Sequence, residues 1–198
     1  MKIGIISGSP RNGSETGRVC RHIASRLETA QKNVEYQFFD LSKIHLPLWD
    51  MAQFDEGSDF MKIWPQLSAD LAGCDSFIVA SPEWAGMVTP HLKNLLLNCG
   101  AEMAHKLALL VAVSSGMGGS DPIAELWMSG YKNSHIWWLP DHLILRDITS
   151  LFHDETGELN QSLNARIDHL LGWLTQSTIA LAPVRAAFQD LKTYPFGM

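Results

Sequence analysis

The sequence predicts an α/β protein: a five-stranded parallel sheet of order 2-1-3-4-5 between two layers of helices. Three observations lead there. Short apolar runs rich in β-branched residues alternate with helical patterns in the order βαβαβαβαβα, the arrangement of parallel strands joined by crossover helices. The runs are apolar on both faces, as strands covered from both sides must be. Those ending at Ser7, Ala80 and Val113 all empty into loops of glycine, serine and proline. In this strand order they are neighbours, so their loops converge at the carboxyl edge beside the point where the order reverses.

The first strand rests on Ile3, Ile5 and Ile6, and the stretch KIGIISGSPRNGSET, Lys2 to Thr16, runs from it straight into a hydroxyl-rich loop. Arg18, Val19, Ile23 and Leu27 then begin a helical pattern. A loop at a helix N-terminus offers an anion unpaired N–H groups and the positive end of the helix dipole. Ser7, Ser9, Ser14 and Thr16 add hydroxyls, and Arg11 adds a planar guanidinium. Gly4, Gly8, Gly13 and Gly17 match neither the Gly-Lys-Ser/Thr ending of a P-loop nor the GxGxxG of a dinucleotide fold. The chemistry suits a single phosphate monoester; the plainer reading is a Gly/Ser turn that caps a helix.

Glu35 to Leu41 reads as the second strand, followed by SKIHLPLWDMAQFDEGSD, a long surface loop. Its Leu48, Trp49 and Met51 either cover a site or partner, or fold back onto the core, and the ordinary burial of Leu and Trp favours folding back. Phe60 to Leu71 is helical with Pro65 in its first turns, and Asp75 to Ala80 is a strand leading into SPEWAGMVTP. Pro90 opens the next helix, which continues to Cys99. Lys106 to Val113 is a strand that empties into SSGMGGSDP, and Pro122 opens a helix over Ile123 to Tyr131. Ile136 to Leu139 or Leu143 to Leu145, on either side of Pro140, supplies the fifth strand. Asn160 to Leu174 is a final amphipathic helix with Leu163, Ile167, Leu170, Leu171 and Leu174 on one face. The whole chain, 1–198, is expected to be one domain, with Pro183, Pro195 and Gly197 making 182–198 an irregular extension.

Composition narrows the partners. A net charge of −6 without clustered Lys or Arg argues against nucleic acid. No apolar run approaches the roughly 20 residues that span a bilayer, and MKIGIIS enters a strand too early for a signal peptide. A cytoplasmic protein without membrane insertion is expected. Cys20, Cys74 and Cys99 lie far apart and read as reduced, buried thiols. The histidines, His22, His91 and His142 among them, form neither HxxxH nor HExxH, so no metal site is expected.

Gly8-Ser9-Pro10-Arg11-Asn12-Gly13-Ser14-Glu15-Thr16 resembles the GSxRxxSxN flavin-phosphate loop of the NADPH-dependent FMN reductase family, the flavodoxin-like NAD(P)H:quinone and chromate reductases, with Thr16 in place of the usual asparagine. Pro82 to Pro90 with Leu92-Lys93-Asn94 resembles its PEYNxSxPxxLKN segment, and Ser115-Gly116-Met117-Gly118-Gly119 its third loop. Leu46-Pro47-Leu48-Trp49 and the segment from Phe152 to Leu159 are similar to further family features.

The resemblance implies a flavodoxin-like three-layer α/β/α fold with FMN and NADPH or NADH as cofactors. It implies that Ser9, Arg11, Ser14, Glu15 and Thr16 surround the FMN phosphate, Glu15 through its backbone N–H with the side chain turned away. Pro82, Glu83, Trp84, Ala85 and Gly86 would flank the isoalloxazine, and Ser115, Gly116, Met117 and Gly118 would approach it from the other side. It further implies hydride transfer from the nicotinamide to a small acceptor, a quinone, flavin, azo compound or metal oxyanion, and a homodimer or homotetramer joined around Met87 to Asn98.

Trp84 stands where the family has tyrosine, Ala85 where it has asparagine, and Leu97 where it has aspartate. No catalytic acid or nucleophile is expected from the chain itself, because the flavin carries the chemistry. Two other readings are a flavodoxin-like electron carrier, against which Arg11 argues, and a flavin-free partner-binding member, suggested by Ala85 and Leu97 and by Trp137 and Trp138 if they are exposed.

Overall fold

A computed structural model describes residues 1–31, 33–132, 134–153 and 157–188. Its sheet has the expected order, β2-β1-β3-β4-β5, with all four pairings parallel. The strands are β1 (Lys2–Ser7), β2 (Glu35–Asp40), β3 (Ser76–Pro82), β4 (Leu107–Val113) and β5 (Trp137–Leu145). The helices are α1 (Glu15–Ala30), α2 (Asp59–Ala72), α3 (Pro90–Asn98), α4 (Ser120–Ser129), α5 (Glu158–Ala180) and α6 (Ala182–Ala187).

The alternation of side chains along β4 divides the core. Leu107, Leu109, Val111 and Val113 face a cluster completed by Val19, Ile23 and Leu27 of α1 and by Ile167, Leu170, Leu171 and Leu174 of α5. Ala108, Leu110 and Ala112 face the opposite cluster, completed by Leu67 and Leu71 of α2, Leu92 and Leu95 of α3, and Ile123 and Leu126 of α4. Both faces of the central strands are thus dry, which is why those runs lack polar alternation.

Several boundaries differ from the sequence reading. Helix α1 begins at Glu15 rather than near Arg18, because Ser14 is its N-cap and accepts the Gly17 N–H at 3.1 Å. The two candidate pieces of the fifth strand are one strand, and the register against β4 shifts between Ala108 and Leu110. Pro140 fits there because β5 is an edge, where a missing N–H costs no pairing on the open side. Trp137 and Trp138 are half-buried, one against each core cluster.

The long loop also departs from expectation. Leu48 and Met51 are 72% and 71% exposed, and Trp49 is 45% exposed, so they do not fold back onto the core. The loop is held by its backbone instead: Asn94 of α3 donates to Pro47 O at 2.8 Å and Leu46 O at 3.3 Å, and its Oδ1 accepts the Trp49 N–H at 2.9 Å. With the main chain anchored, the apolar side chains project outward.

The segment expected to be irregular from 182 onward begins with the short helix α6, whose Arg185 donates to Asp75 O at 2.7 Å and Asp75 Oδ1 at 2.9 Å. Residues 189–198, and 154–156 within the Phe152 to Leu159 segment, lie outside the described residues. Among the described residues no helix is long and apolar enough to cross a membrane.

Candidate active site

The loop after β1 is sewn to its neighbours by its backbone. Gly8 N–H donates to Ala80 O of β3 at 2.8 Å, and Gly8 O accepts the Thr89 hydroxyl at 2.5 Å. A Cβ on Gly8 would lie 2.6 Å from Ala80 O and 2.8 Å from Leu92 Cδ2, so glycine alone permits this approach. Beyond that tie, Ser9, Ser14 and Thr16 are buried, while Arg11, Asn12 and Gly13 are exposed.

Ser14 Oγ accepts from Gly17 N–H, which leaves its own O–H free to donate. The N–H groups of Asn12, Gly13, Ser14, Glu15 and Thr16 have no acceptor among the described residues. They belong to the loop and the first turn of α1, the positive end of its dipole. Glu15 does not oppose that polarity, because Arg18 binds its carboxylate through Nε at 2.7 Å and through Nη2. Arg18 also donates to Ile148 O at 2.7 Å and Leu151 O at 2.9 Å, which commits it to structure rather than to a ligand.

The loop after β3 folds into a tight hairpin. Trp84 N–H donates to Met87 O at 3.0 Å and Met87 N–H to Trp84 O at 2.9 Å, with Ala85 and Gly86 at the tip at φ 51° and 74°. Two successive positive φ values are the mark of a type I′ turn. The turn presents Trp84, and the Arg11 guanidinium lies over the indole at 5.7 Å from its centroid, within cation–π range.

The loop after β4 completes the arrangement. Glu83 N–H donates to Val113 O at 3.0 Å, and Glu83 Oε2 accepts the Gly119 N–H at 2.6 Å. On the other side Arg146 Nε donates to Met117 O at 2.8 Å and Gly118 O at 2.9 Å. Ser115, Gly116 and Met117 form an exposed crest between these supports. The structure therefore joins Arg11 to Trp84 and Glu83 to Gly119, bringing the three loops together as the strand order requires. Pro82 closes β3 and is buried, while Ala85 and Gly86 sit at the hairpin tip.

Beside the hairpin, between α3, α4 and the loop around Trp49, lies a groove of about 960 Å³. Leu48, Trp49, Trp84, Met87, Leu97 and Leu126 give it apolar walls, and Lys93, Asn94, Ser129, Lys132 and Ser134 are its polar elements. Lys93 is ion-paired with Glu125. Burial alone would raise the Glu125 carboxyl, but the hydrogen bonds from Lys93 and from Val88 N–H, the latter at 2.7 Å, hold it below its ordinary value.

Sequence reasoning did not single out Thr89 or Arg146. Thr89 was hidden as an ordinary residue before Pro90, although Thr before a helix-opening proline is itself an N-cap signal. Arg146 carried no local signal, because its three acceptors, Met117 O, Gly118 O and Ser120 Oγ, are 26 to 29 residues away.

The model of the NADPH-dependent FMN reductase family matches residues 1–149, which contain all three loops. An NADPH azoreductase of Bacillus sp. (strain OY1-2) is 26% identical over 166 residues, 81% of this chain and 83% of that protein. A probable NADPH:quinone oxidoreductase 2 of Oryza sativa subsp. japonica is 30% identical over 126 residues, 61% of this chain and 59% of that protein. An oxidoreductase structure from Corynebacterium diphtheriae shares the fold at a TM-score of 0.72 and 15% identity, covering 90% of this chain and 97% of that one. The chain belongs to the NADPH-dependent FMN reductase family, a family of enzymes that work with FMN and a nicotinamide.

Proposed function

We propose that this protein passes hydride from NADPH or NADH through bound FMN to a planar conjugated acceptor, a quinone or an azo compound. The observation that carries the reading is the meeting of the three loops, through Arg11 over Trp84 and Glu83 on Gly119. The first loop fits a phosphate monoester: unpaired N–H groups from Asn12 to Thr16, three hydroxyls, one guanidinium with no carboxylate partner among the described residues, and a carboxylate already drawn onto Arg18. Bound FMN supplies hydride acceptance from the nicotinamide and hydride donation to the second substrate.

The chain's own residues hold and orient. Ser9, Ser14, Thr16, Arg11 and the Glu15 N–H take the phosphate. The backbone of Pro82, Glu83, Trp84, Ala85 and Gly86 borders one side of the ring site, and that of Ser115, Gly116, Met117 and Gly118 borders the other. The Glu83 carboxylate is engaged by Gly119, so proton delivery is not its task.

The choice of acceptor follows from the groove. Its walls are mainly aromatic and aliphatic, and of its two lysines Lys93 is paired with Glu125 while Lys132 is exposed to water, which favours a flat apolar molecule over a hydrated oxyanion. The same face exposes Met87, Leu97 and Met128, at 54%, 63% and 75%, and is the surface we assign to contact between copies of the chain. The test is direct. Purified protein should bind FMN with a yellow spectrum and oxidise NADPH when a benzoquinone is added, faster than with chromate. Protein that takes up no FMN sinks the proposal, and sedimentation as a monomer at micromolar concentration removes the contact.

A further inference from the structure

We propose that the Glu83 carboxylate is a positioning residue that latches the loop after β3 to the loop after β4 and so sets the width of the slot that takes the flavin ring. The proposal rests on the ring-site reading above. Its basis is a set of contacts that fit together only if the carboxylate stays where it is.

Gly119 is the N-cap of α4, yet it has no side chain to cap the helix. The Glu83 carboxylate, from another loop, accepts the N–H of Gly119 itself at 2.6 Å, the bond that a first-turn Glu makes in a capping box, at the positive end of the helix dipole. Position 118 is shaped around it: a Cβ there would lie 1.8 Å from Glu83 Oε2, so any side chain would expel the carboxylate. Gly119 has φ 100°, and a Cβ there would lie 2.5 Å from Ile144 Cγ2, so it too is confined.

Glu83 is itself fixed at its other end, because its N–H is bonded to Val113 O of β4 at 3.0 Å. Arg146 grips Met117 O and Gly118 O through its Nε. The 117–119 peptides thus lie between a carboxylate and a guanidinium, while Gly116 O accepts the Asp147 N–H at 2.9 Å and the side chains of Ser115 and Met117 are exposed above them. Removing the carboxylate releases the one grip that comes from the loop after β3, leaves those of Arg146 and Asp147 in place, and does not touch the phosphate loop. The phosphate and ring parts of the site should therefore respond separately.

The experiment compares Glu83→Ala, Glu83→Gln, Gly118→Ala and the Glu83→Ala/Gly118→Ala double variant of the full chain. Their affinities for FMN and for riboflavin, which lacks the phosphate, are read by quenching of flavin fluorescence. Losing a charge-assisted hydrogen bond predicts about a tenfold weakening of both flavins alike in Glu83→Ala. Glu83→Gln keeps an acceptor oxygen and should recover most of the affinity. Gly118→Ala should weaken both flavins to a similar degree and add nothing in the double variant, since its methyl acts by displacing a carboxylate already gone.

In flavin-free protein, amide exchange at Gly119 should accelerate in Glu83→Ala and Gly118→Ala but not in Glu83→Gln. Unchanged riboflavin affinity in Glu83→Ala, additive losses in the double variant, or unaltered Gly119 exchange would overturn the proposal. Binding of neither flavin by the wild-type chain refutes the ring-site reading itself, and Gly119 exchange then decides the latch separately.

Discussion

Ala85 should be a strained residue whose replacement by glycine stabilises the protein. It lies at φ 51°, where a Cβ crowds the backbone, at a cost of roughly 1–2 kcal/mol relative to the right-handed region. The turn enforces that conformation, because the Trp84–Met87 pair closes it from both sides with hydrogen bonds of 3.0 and 2.9 Å. Ala85 is exposed, so its methyl has little packing to set against the strain.

Glycine at 85 removes the strain and returns about 0.4–1 kcal/mol of extra freedom to the unfolded chain. The net gain is about 0.5–1 kcal/mol, a rise in Tm of about 1–4 °C for a chain of this size. Ala85→Asn should gain less, since asparagine tolerates this region without the freedom of glycine. Ala85→Val should lower Tm, because β-branched residues are outliers at positive φ. The assay is thermal unfolding followed by circular dichroism. A Tm that falls in Ala85→Gly, or that is the same in Ala85→Val as in the wild-type chain, refutes the reasoning.

Gly8→Ala meets a backbone carbonyl on one side and Leu92 on the other, so overpacking should cost about 1–3 kcal/mol in urea unfolding; a neutral variant would show that the tie to Ala80 is loose. Arg11→Ala should weaken FMN by about 1.5–3 kcal/mol, the worth of a hydrogen bond to a charged group, and leave riboflavin unchanged; equal losses of both flavins would place Arg11 on the ring rather than the phosphate. Glu125 is held below its ordinary value, so its stabilisation is present above the unfolded pKa and fades as pH falls through the folded one. Glu125→Gln should therefore lower stability at neutral pH and flatten its decline below pH of about 5, measured by denaturant titration at several pH values; a parallel decline in both proteins contradicts the assignment.

Much of the architecture was legible because it depends on local pattern. The β-branched run at Ile3 to Ile6 and the apolar run from Leu107 to Val113 are buried on both faces, and that condition is written residue by residue. Pro90 marked the start of α3, and the hydroxyl-rich Ser9–Thr16 stretch marked a loop running into a helix. Element edges were less visible. Pro140 suggested a break in the fifth strand, but an edge strand tolerates what a central one does not, and edge position is a property of the assembled sheet.

Leu48, Trp49 and Met51 show the same limit in the opposite direction. Their apolarity argued for burial, whereas the Asn94 side chain, 45 to 48 residues away in sequence, fixes the loop by its backbone and leaves them outside.

The sequence by itself determined the alternation of strands and helices, the three loops and the family, because periodicity and contiguous motifs need no distant partner to be read. Tertiary structure alone decided how the loops are joined: the Arg11 guanidinium over Trp84, Thr89 on Gly8 O, and the Glu83 carboxylate on Gly119 N–H. Each of those contacts links residues 36 or more positions apart, and only the parallel sheet, by setting neighbouring strand ends side by side, brings them within reach.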